Sequence, residues 1–264
     1  MDKATIFGIF IALIAICLGM IFKGVNLLAL FNPAAILIIF FGTIGAVLIA
    51  FPMSTIKKVP TLFKIVFKKE ETLDIDELIN MFAEWADLAR KEGLLSLENK
   101  ISVVDDQFLK AGLQYVIDGQ SPEFIRDVLL EKIEAMEQRH QKGALVFSQA
   151  GTYAPSLGVL GAVVGLIAAL GDLNDIEALG KAISAAFIAT LFGILTGYVL
   201  WHPFSNKLKE KSKNEVKEKQ IMIEGILSIT NGESPNTLRD KLNSYLSPSE
   251  LKNAEDYGQE EDNA

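Results

Sequence analysis

The side chains that could handle an ion inside the long apolar runs of this 264-residue chain are hydroxyls: Thr43, Thr152, Tyr153, Ser156, Ser184, Thr190 and Thr196. A hydroxyl can hydrogen-bond a carboxyl or help coordinate a cation, but it carries no proton charge at neutral pH. Proteins that move ions across a bilayer ordinarily keep an ionisable group at that depth. Here residues 4–22, 24–56, 143–171 and 182–206 hold no Asp, Glu, Lys or Arg. Either the chain moves no ions, or a partner supplies the titrating carboxylate. His202 is the nearest titratable group; beside Trp201 it suits an interfacial position better than a mid-membrane relay.

Signals for catalysis are missing. The two histidines, His140 and His202, have no metal-ligand spacing, and the sequence holds neither GxGxxG nor GxxxxGK[ST]. Gly158-x-x-Gly161-x-x-x-Gly165 lies inside an apolar run and reads as a packing pattern, and no Ser-His-Asp or Cys-His set is suggested. The expectation is a protein without enzymatic activity, cofactor or metal. Cys17 is the single cysteine and can form no internal disulfide, and a net charge of −8 argues against nucleic-acid binding.

The uncharged runs are long enough to cross a bilayer, which takes about 20 helical residues. Residues 4–22 exceed a signal-peptide core and lack a cleavage site, so they read as a retained span. The second span opens at Asn32-Pro33, with Asn32 as N-cap, and ends near Pro52. The third covers about 151–171 and the fourth about 181–201, with Pro203 just beyond. The fold class is therefore all-α: a polytopic membrane protein with four transmembrane helices and a helical cytoplasmic domain. Of 25 Lys and Arg, 13 lie in 53–148 and 9 in 205–264, which predicts that both termini and the 53–148 segment are cytoplasmic. The lysines between Lys207 and Lys219 alternate with Glu210, Glu215 and Glu218 at salt-bridge spacing, as on a solvated helix.

The resulting division is 1–52 for spans one and two, 53–148 for a cytoplasmic helical domain, 149–204 for spans three and four, 205–247 for a C-terminal helical segment and 248–264 for an acidic, disordered tail. Within 53–148, Asp74 and Glu77 suggest a capping box. Ile75, Leu78, Ile79, Phe82, Trp85 and Leu88 then recur at helical spacing. A second helix runs from Val104 to Ile117 and stops at Asp118-Gly119. Ser121-Pro122 opens a third, whose apolar face is Phe124, Ile125, Val128, Leu129, Ile133 and Met136. No breaker separates it from the third span, so one helix should continue into the membrane. Residues 90–98 mix charge with a Gly break, consistent with an exposed turn or with a charged docking edge.

Small residues form stripes. Gly151, Pro155, Gly158, Ala162, Gly165 and Ala169 fall within about 80° on a helical wheel. Ala182, Ala186, Ala189, Gly193 and Gly197 repeat the pattern in the fourth span. Such stripes let helices approach closely in lipid, either within one subunit or as a surface against which another subunit's helix sits; two extended stripes favour the latter. Pro155 frees a backbone carbonyl, which suits a helix contact or lined cavity better than a lipid-facing position.

These features together resemble the MotA/TolQ/ExbB proton channel family, and within it the MotA family of flagellar motor stator subunits. The matching segments are Ala154-Pro155-Ser156-Leu157-Gly158-Val159-Leu160-Gly161, Ala185-Ala186-Phe187-Ile188-Ala189-Thr190-Leu191-Phe192-Gly193, Pro203, Asn32-Pro33-Ala34-Ala35 and Arg90-Lys91-Glu92-Gly93-Leu94-Leu95-Ser96-Leu97-Glu98, within about residues 1–245. The resemblance implies a ring, a pentamer, around a dimer of a single-span MotB-like subunit that carries the ion-binding Asp. It implies conversion of proton flow into torque on the rotor protein FliG, in the bacterial plasma membrane. Arg90 and Glu98 would contact the rotor. Pro155 and Pro203 would couple protonation to movement, with Phe187 and Thr190 near the partner's carboxylate. Gly151, Gly158, Gly165, Ala186, Ala189 and Gly193 would pack the ring or the partner helix. Sodium-type relatives carry Thr where this chain has Ala162; a hard cation needs such oxygen ligands, so a proton is expected. The alternatives are an energiser of the ExbB/TolQ type, whose three spans fit less well, and a membrane scaffold without ion conduction.

Overall fold

The structure is a computed structural model that describes residues 2–69, 75–102, 104–171 and 176–246. The capping box at Asp74 and the acidic tail lie outside the described residues. Among the described residues there is helix and no strand. The chain divides into two compact units, Met1–Glu70 with Arg139–Lys211, and Glu71–Gln138 with Ser212–Ala264.

In the first unit, α1 (Lys3–Phe22) starts at Asp2, whose carboxylate accepts from the N–H of Ala4 and Thr5 at 2.9 and 3.4 Å. None of its residues is buried, and Phe7, Phe10 and Ile11 are each more than half exposed. A helix apolar on every face, with one stripe half-covered by its own chain at Ile9 and the rest open, belongs in lipid. The second helix, α2 (Pro33–Ala50), begins as its sequence predicts: Asn32 accepts from Ala35 N–H at 3.1 Å and Pro33 fills the first turn. Asn32 also donates to the Ala185 carbonyl at 3.3 Å, which pins this helix start to the fourth span. Ala35, Ile39 and Thr43, four apart, form its buried face.

Past Pro52, the short α3 (Met53–Ile56) leads to α4 (Val59–Phe67), an amphipathic helix. Val66 is fully buried there, and Phe63 and Phe67 pack edge-on against Phe147 and Phe204 with ring centroids 4.9 and 5.5 Å apart. The Lys211 ammonium donates to the carbonyls of Ile65 and Lys68 at 2.8 and 2.6 Å, satisfying the end of α4. Lys207 pairs with Asp2 and donates to Thr5, tying the start of α1 to the segment after the fourth span.

In the second unit, α5 (Ile75–Glu92) buries Leu78, Ile79, Phe82 and Trp85, four of the six positions its periodicity marks. Gly93, at φ 86°, ends it, since only glycine adopts that backbone cheaply. A 3-10 turn (Leu94–Leu97) and α6 (Glu98–Ile101) follow. The second predicted helix is α7 (Gln107–Ile117), which starts three residues later than Val104, because Asp106 takes the cap from Phe108 and Leu109 N–H at 2.8 and 2.9 Å. It stops at Asp118-Gly119 as expected, with Gly119 at φ 70°.

The Asp106 carboxyl is held below its ordinary value. Burial pushes it up, but the Lys219 ammonium at 2.7 Å and the two amide donors outweigh burial. The helix opened by Ser121-Pro122 is α8 (Pro122–Leu170), unbroken for 49 residues. Ile125, Leu129, Ile133 and Met136 are buried as read, but Phe124 is 44% exposed. Its wheel position lies on the flank, where its ring meets Tyr115 edge-on.

The fourth span differs from its expectation at the end. The helix α9 (Ile176–Leu195) passes into a π-helical turn (Thr196–Trp201) and then directly into α10 (His202–Thr230), so Pro203 sits inside continuous helix. Proline has no N–H to offer the preceding turn. The wider π turn resets the hydrogen-bond ladder just before it. The last helix, α11 (Pro235–Asn243), is capped by Ser234 and buries Leu238 and Leu242.

Candidate functional site

Where α8 crosses α9, two glycines set the distance. A Cβ built on Gly193 would lie 2.7 Å from the Ala154 carbonyl and 2.9 Å from the Gly158 Cα. One on Gly158 would lie 2.9 Å from the Ala189 carbonyl. Neither position admits any residue but glycine without moving backbone. One turn further, a Cβ on Gly161 would meet the Ala189 methyl at an ordinary 3.6 Å. Ala186 and Ala189 are buried, and Asn32 ties the same stretch of α9 to α2.

Within this chain Gly158 faces Gly193, Gly151 lies under the His202 ring, and Ala186 and Ala189 are buried, so these members of the two stripes pack the third and fourth spans of one subunit together. Gly165 alone meets nothing within 4 Å and stays open.

The register of that crossing places the expected ion-pathway residues. Gly158 opposes Gly193 and Gly161 opposes Ala189 in antiparallel helices, so Ala162 and Thr190 share one level. That level falls midway along spans 151–171 and 181–201. Thr190 donates its hydroxyl back to the Ala186 carbonyl at 3.2 Å, leaving its oxygen lone pairs to accept. Phe187, one turn from Thr190 on α9, is 73% exposed. Phe187 thus stands uncovered on the face of α9 that it shares with the half-buried Thr190.

Below this level Pro155 meets glycine again. A Cβ on Gly197 would lie 2.8 Å from the Gly151 carbonyl and 2.9 Å from the Pro155 Cγ. Pro155 deprives that Gly151 carbonyl of its helical partner. The freed oxygen rests against Gly197, in the first turn of the π segment. The His202 ring covers Gly151: a Cβ there would come within 2.8 Å of it. Pro155, Gly197 and His202 thus form one packed knuckle between the third and fourth spans. Pro203 itself is exposed, one residue beyond His202. The π turn was not legible in advance, although Gly197 stood in the predicted stripe and Pro203 marked the place.

In the second unit, Arg90 and Glu98 are both exposed, on either side of the Gly93 turn. Leu95 between them is 69% exposed, while Leu97 next to it is fully buried. The alternation comes from the 3-10 turn, which aims Leu97 into the core and Leu95 out. An apolar side chain flanked by opposite charges is the composition of a protein contact, and Leu95 was not singled out by its residue type.

Among the described residues no group of His, Cys, Asp and Glu could hold a metal ion. Four helices, Lys3–Phe22, Leu27–Ala50, and stretches of Pro122–Leu170 and Ile176–Thr230, are long and apolar enough to span a membrane.

Comparison with known proteins was made on this basis. A family model described as the MotA/TolQ/ExbB proton channel family matches residues 100–221, and one described as Motility protein A N-terminal matches residues 6–93. The chain is 62% identical to Motility protein A of Bacillus subtilis over 93% of its own length and 91% of that protein's. It is 37% identical to Motility protein A of Helicobacter pylori, over 97% and 99%. The structure of the flagellar MotAB stator complex from Bacillus subtilis is similar with a TM-score of 0.90 at 60% identity, over 95% of this chain and 99% of that one. That of C. jejuni MotAB gives 0.89 at 33% identity, over 94% and 97%.

Proposed function

The chain belongs to the motility protein A family, within the MotA/TolQ/ExbB proton channel family, and from that premise we propose that it is the stator subunit of a bacterial flagellar motor. It is a multi-pass protein of the inner membrane. With a MotB-like single-span dimer it forms a proton-conducting complex, a ring of its own copies around that dimer, and turns ion flow into torque on FliG. Both termini and residues 53–148 face the cytoplasm, with the division 1–52, 53–148, 149–204, 205–247 and 248–264 proposed above.

One observation carries this reading. The mid-membrane level of α8 and α9 offers hydroxyls and exposed apolar rings but no charge, so the subunit is a track and the moving charge is the partner's. A partner carboxyl at the level of Ala162 and Thr190, once protonated, donates to the Thr190 oxygen and loses its Coulombic tie to bulk. The neutral form slides past the exposed face of Phe187. The knuckle at Pro155 and Gly197, with the π turn before Pro203, is where the helices yield as it passes. Arg90, Leu95 and Glu98 then meet the rotor, the charges setting register and the leucine supplying buried area. The work is done without catalysis, and the lost hydroxyl at Ala162 favours a proton over sodium.

Gradient-driven ion flux into vesicles, with this chain alone and with its single-span partner, tests the proposal. No current from the lone chain and a proton current with the partner is the expected result. Sustained current from the lone chain, or a steep sodium requirement at constant pH, contradicts it.

A further inference from the structure

Along one side of α2, within the first unit, lies a cavity of about 540 Å³ that the ion pathway does not use. Its walls are Phe40 and Val47 of α2, Phe192 of α9 and Leu200 of the π turn, and its floor is Phe63 of α4. Residues of α2 line it from Ile36 to Leu48, about 18 Å at the helical rise. That is close to the depth of one leaflet's hydrocarbon, about 15 Å.

A single polymethylene chain, whose carbons touch their neighbours at about 4 Å, suits a groove of this length lined from end to end by apolar side chains.

The wall offers a ligand no polar partner. The Thr196 hydroxyl is turned back on the Phe192 and Gly193 carbonyls at 2.8 and 3.2 Å, and the Thr43 hydroxyl is covered. A hydrocarbon loses nothing there, whereas a ligand with a polar middle does. At the floor, Ile56 and Val59 line the cavity, and the two residues between them, Lys57 and Lys58, are exposed. Basic side chains at the cytoplasmic margin of a span attract anionic lipid head groups.

We propose that this groove binds an acyl chain of an anionic phospholipid from the surrounding bilayer, with Lys57 and Lys58 holding the head group. The inference rests on the membrane placement of the spans and not on the stator role.

Trp201 lines the groove and reports on it. The full-length chain in its native complex is placed in phosphatidylcholine vesicles containing a small share of phosphatidylglycerol with brominated chains. Its fluorescence is compared with that of Trp201→Phe, so that the difference isolates Trp201. At about fivefold per lysine, the two lysines give roughly 25-fold preference for an anionic head. Trp201 is then quenched far beyond the bromine's bulk share, whereas brominated phosphatidylcholine at the same share quenches in proportion. Val47→Phe narrows the groove but keeps both lysines, and reduces the excess to the bulk level. Lys57→Glu with Lys58→Glu, both on the surface, abolishes the head-group preference. Equal quenching by the two lipids overturns the proposal, as does an excess that survives Val47→Phe. Absence of quenching by either lipid means that side chains of a second copy fill the groove, and overturns it too.

Discussion

Replacing Gly193 with alanine tests whether backbone contact between α8 and α9 sets the geometry of the membrane unit. The new methyl would stand 2.7 Å from the Ala154 carbonyl, 2.9 Å from Gly158 Cα and 3.1 Å from Pro155 Cα. All three are backbone atoms and none can rotate away. Restoring an ordinary contact of 3.4 Å parts the helices by about 0.7 Å at this point. A gap of that order forfeits a quarter to a half of each neighbouring dispersion contact, and overpacking of this kind costs about 1–3 kcal/mol. Alanine also gains about 1 kcal/mol of helix propensity over glycine, which blurs a single measurement. Gly165→Ala supplies the correction, since the same gain applies and its methyl meets nothing within 4 Å. The two variants should therefore differ by about 1–3 kcal/mol, with Gly193→Ala the less stable. Equilibrium unfolding of the purified protein in mixed detergent micelles measures the difference. Equal midpoints, or a larger loss at Gly165, would refute the argument that the glycine stripe is internal packing. Swimming speed should fall in Gly193→Ala and hold in Gly165→Ala.

Charge reversal at Arg90 and Glu98 separately, in cells, should impair rotation while membrane assembly survives, because both side chains are exposed and leave the core intact; normal motility in both removes the rotor contact. Pro155→Ala should assemble and turn poorly, since it returns the Gly151 carbonyl to its helical partner and stiffens the knuckle against Gly197; wild-type torque on a tethered bead counts against a hinge there. Asp106→Ala removes the α7 cap and the partner of Lys219, and should lower the melting free energy of the second unit's core by about 1–2 kcal/mol from the cap alone. In the parent protein the Asp106 carboxyl titrates lower folded than unfolded. Its contribution is therefore complete above the unfolded value near 3.8 and fades as pH falls from there through the folded value, so acid unfolding of Asp106→Ala should be less steep in that range.

Much of the protein was determined by local sequence. Four uncharged runs declare four spans, because no helix of that composition is stable in water. Asn32-Pro33, Ser121-Pro122, Gly93 and Gly119 mark helix ends, because capping and positive φ are decided within a few residues. The absence of a carboxylate at membrane depth is itself a sequence fact. The candidate site was legible in its residue types but not in its faces.

Which stripe meets which depends on the register of segments some forty residues apart, and only the tertiary structure turned Gly158 and Gly193 toward each other and left Phe187 open. Pro203, just beyond the expected fourth span, lies in continuous helix, because a π turn can absorb a missing donor once packing holds the helix on both sides. The exposure of Leu95, the groove along α2 and the pairing of Lys207 with Asp2 likewise come from surfaces brought together across the chain. Propensity and capping act over one turn, whereas contact between distant helices is decided by the shape of both at once.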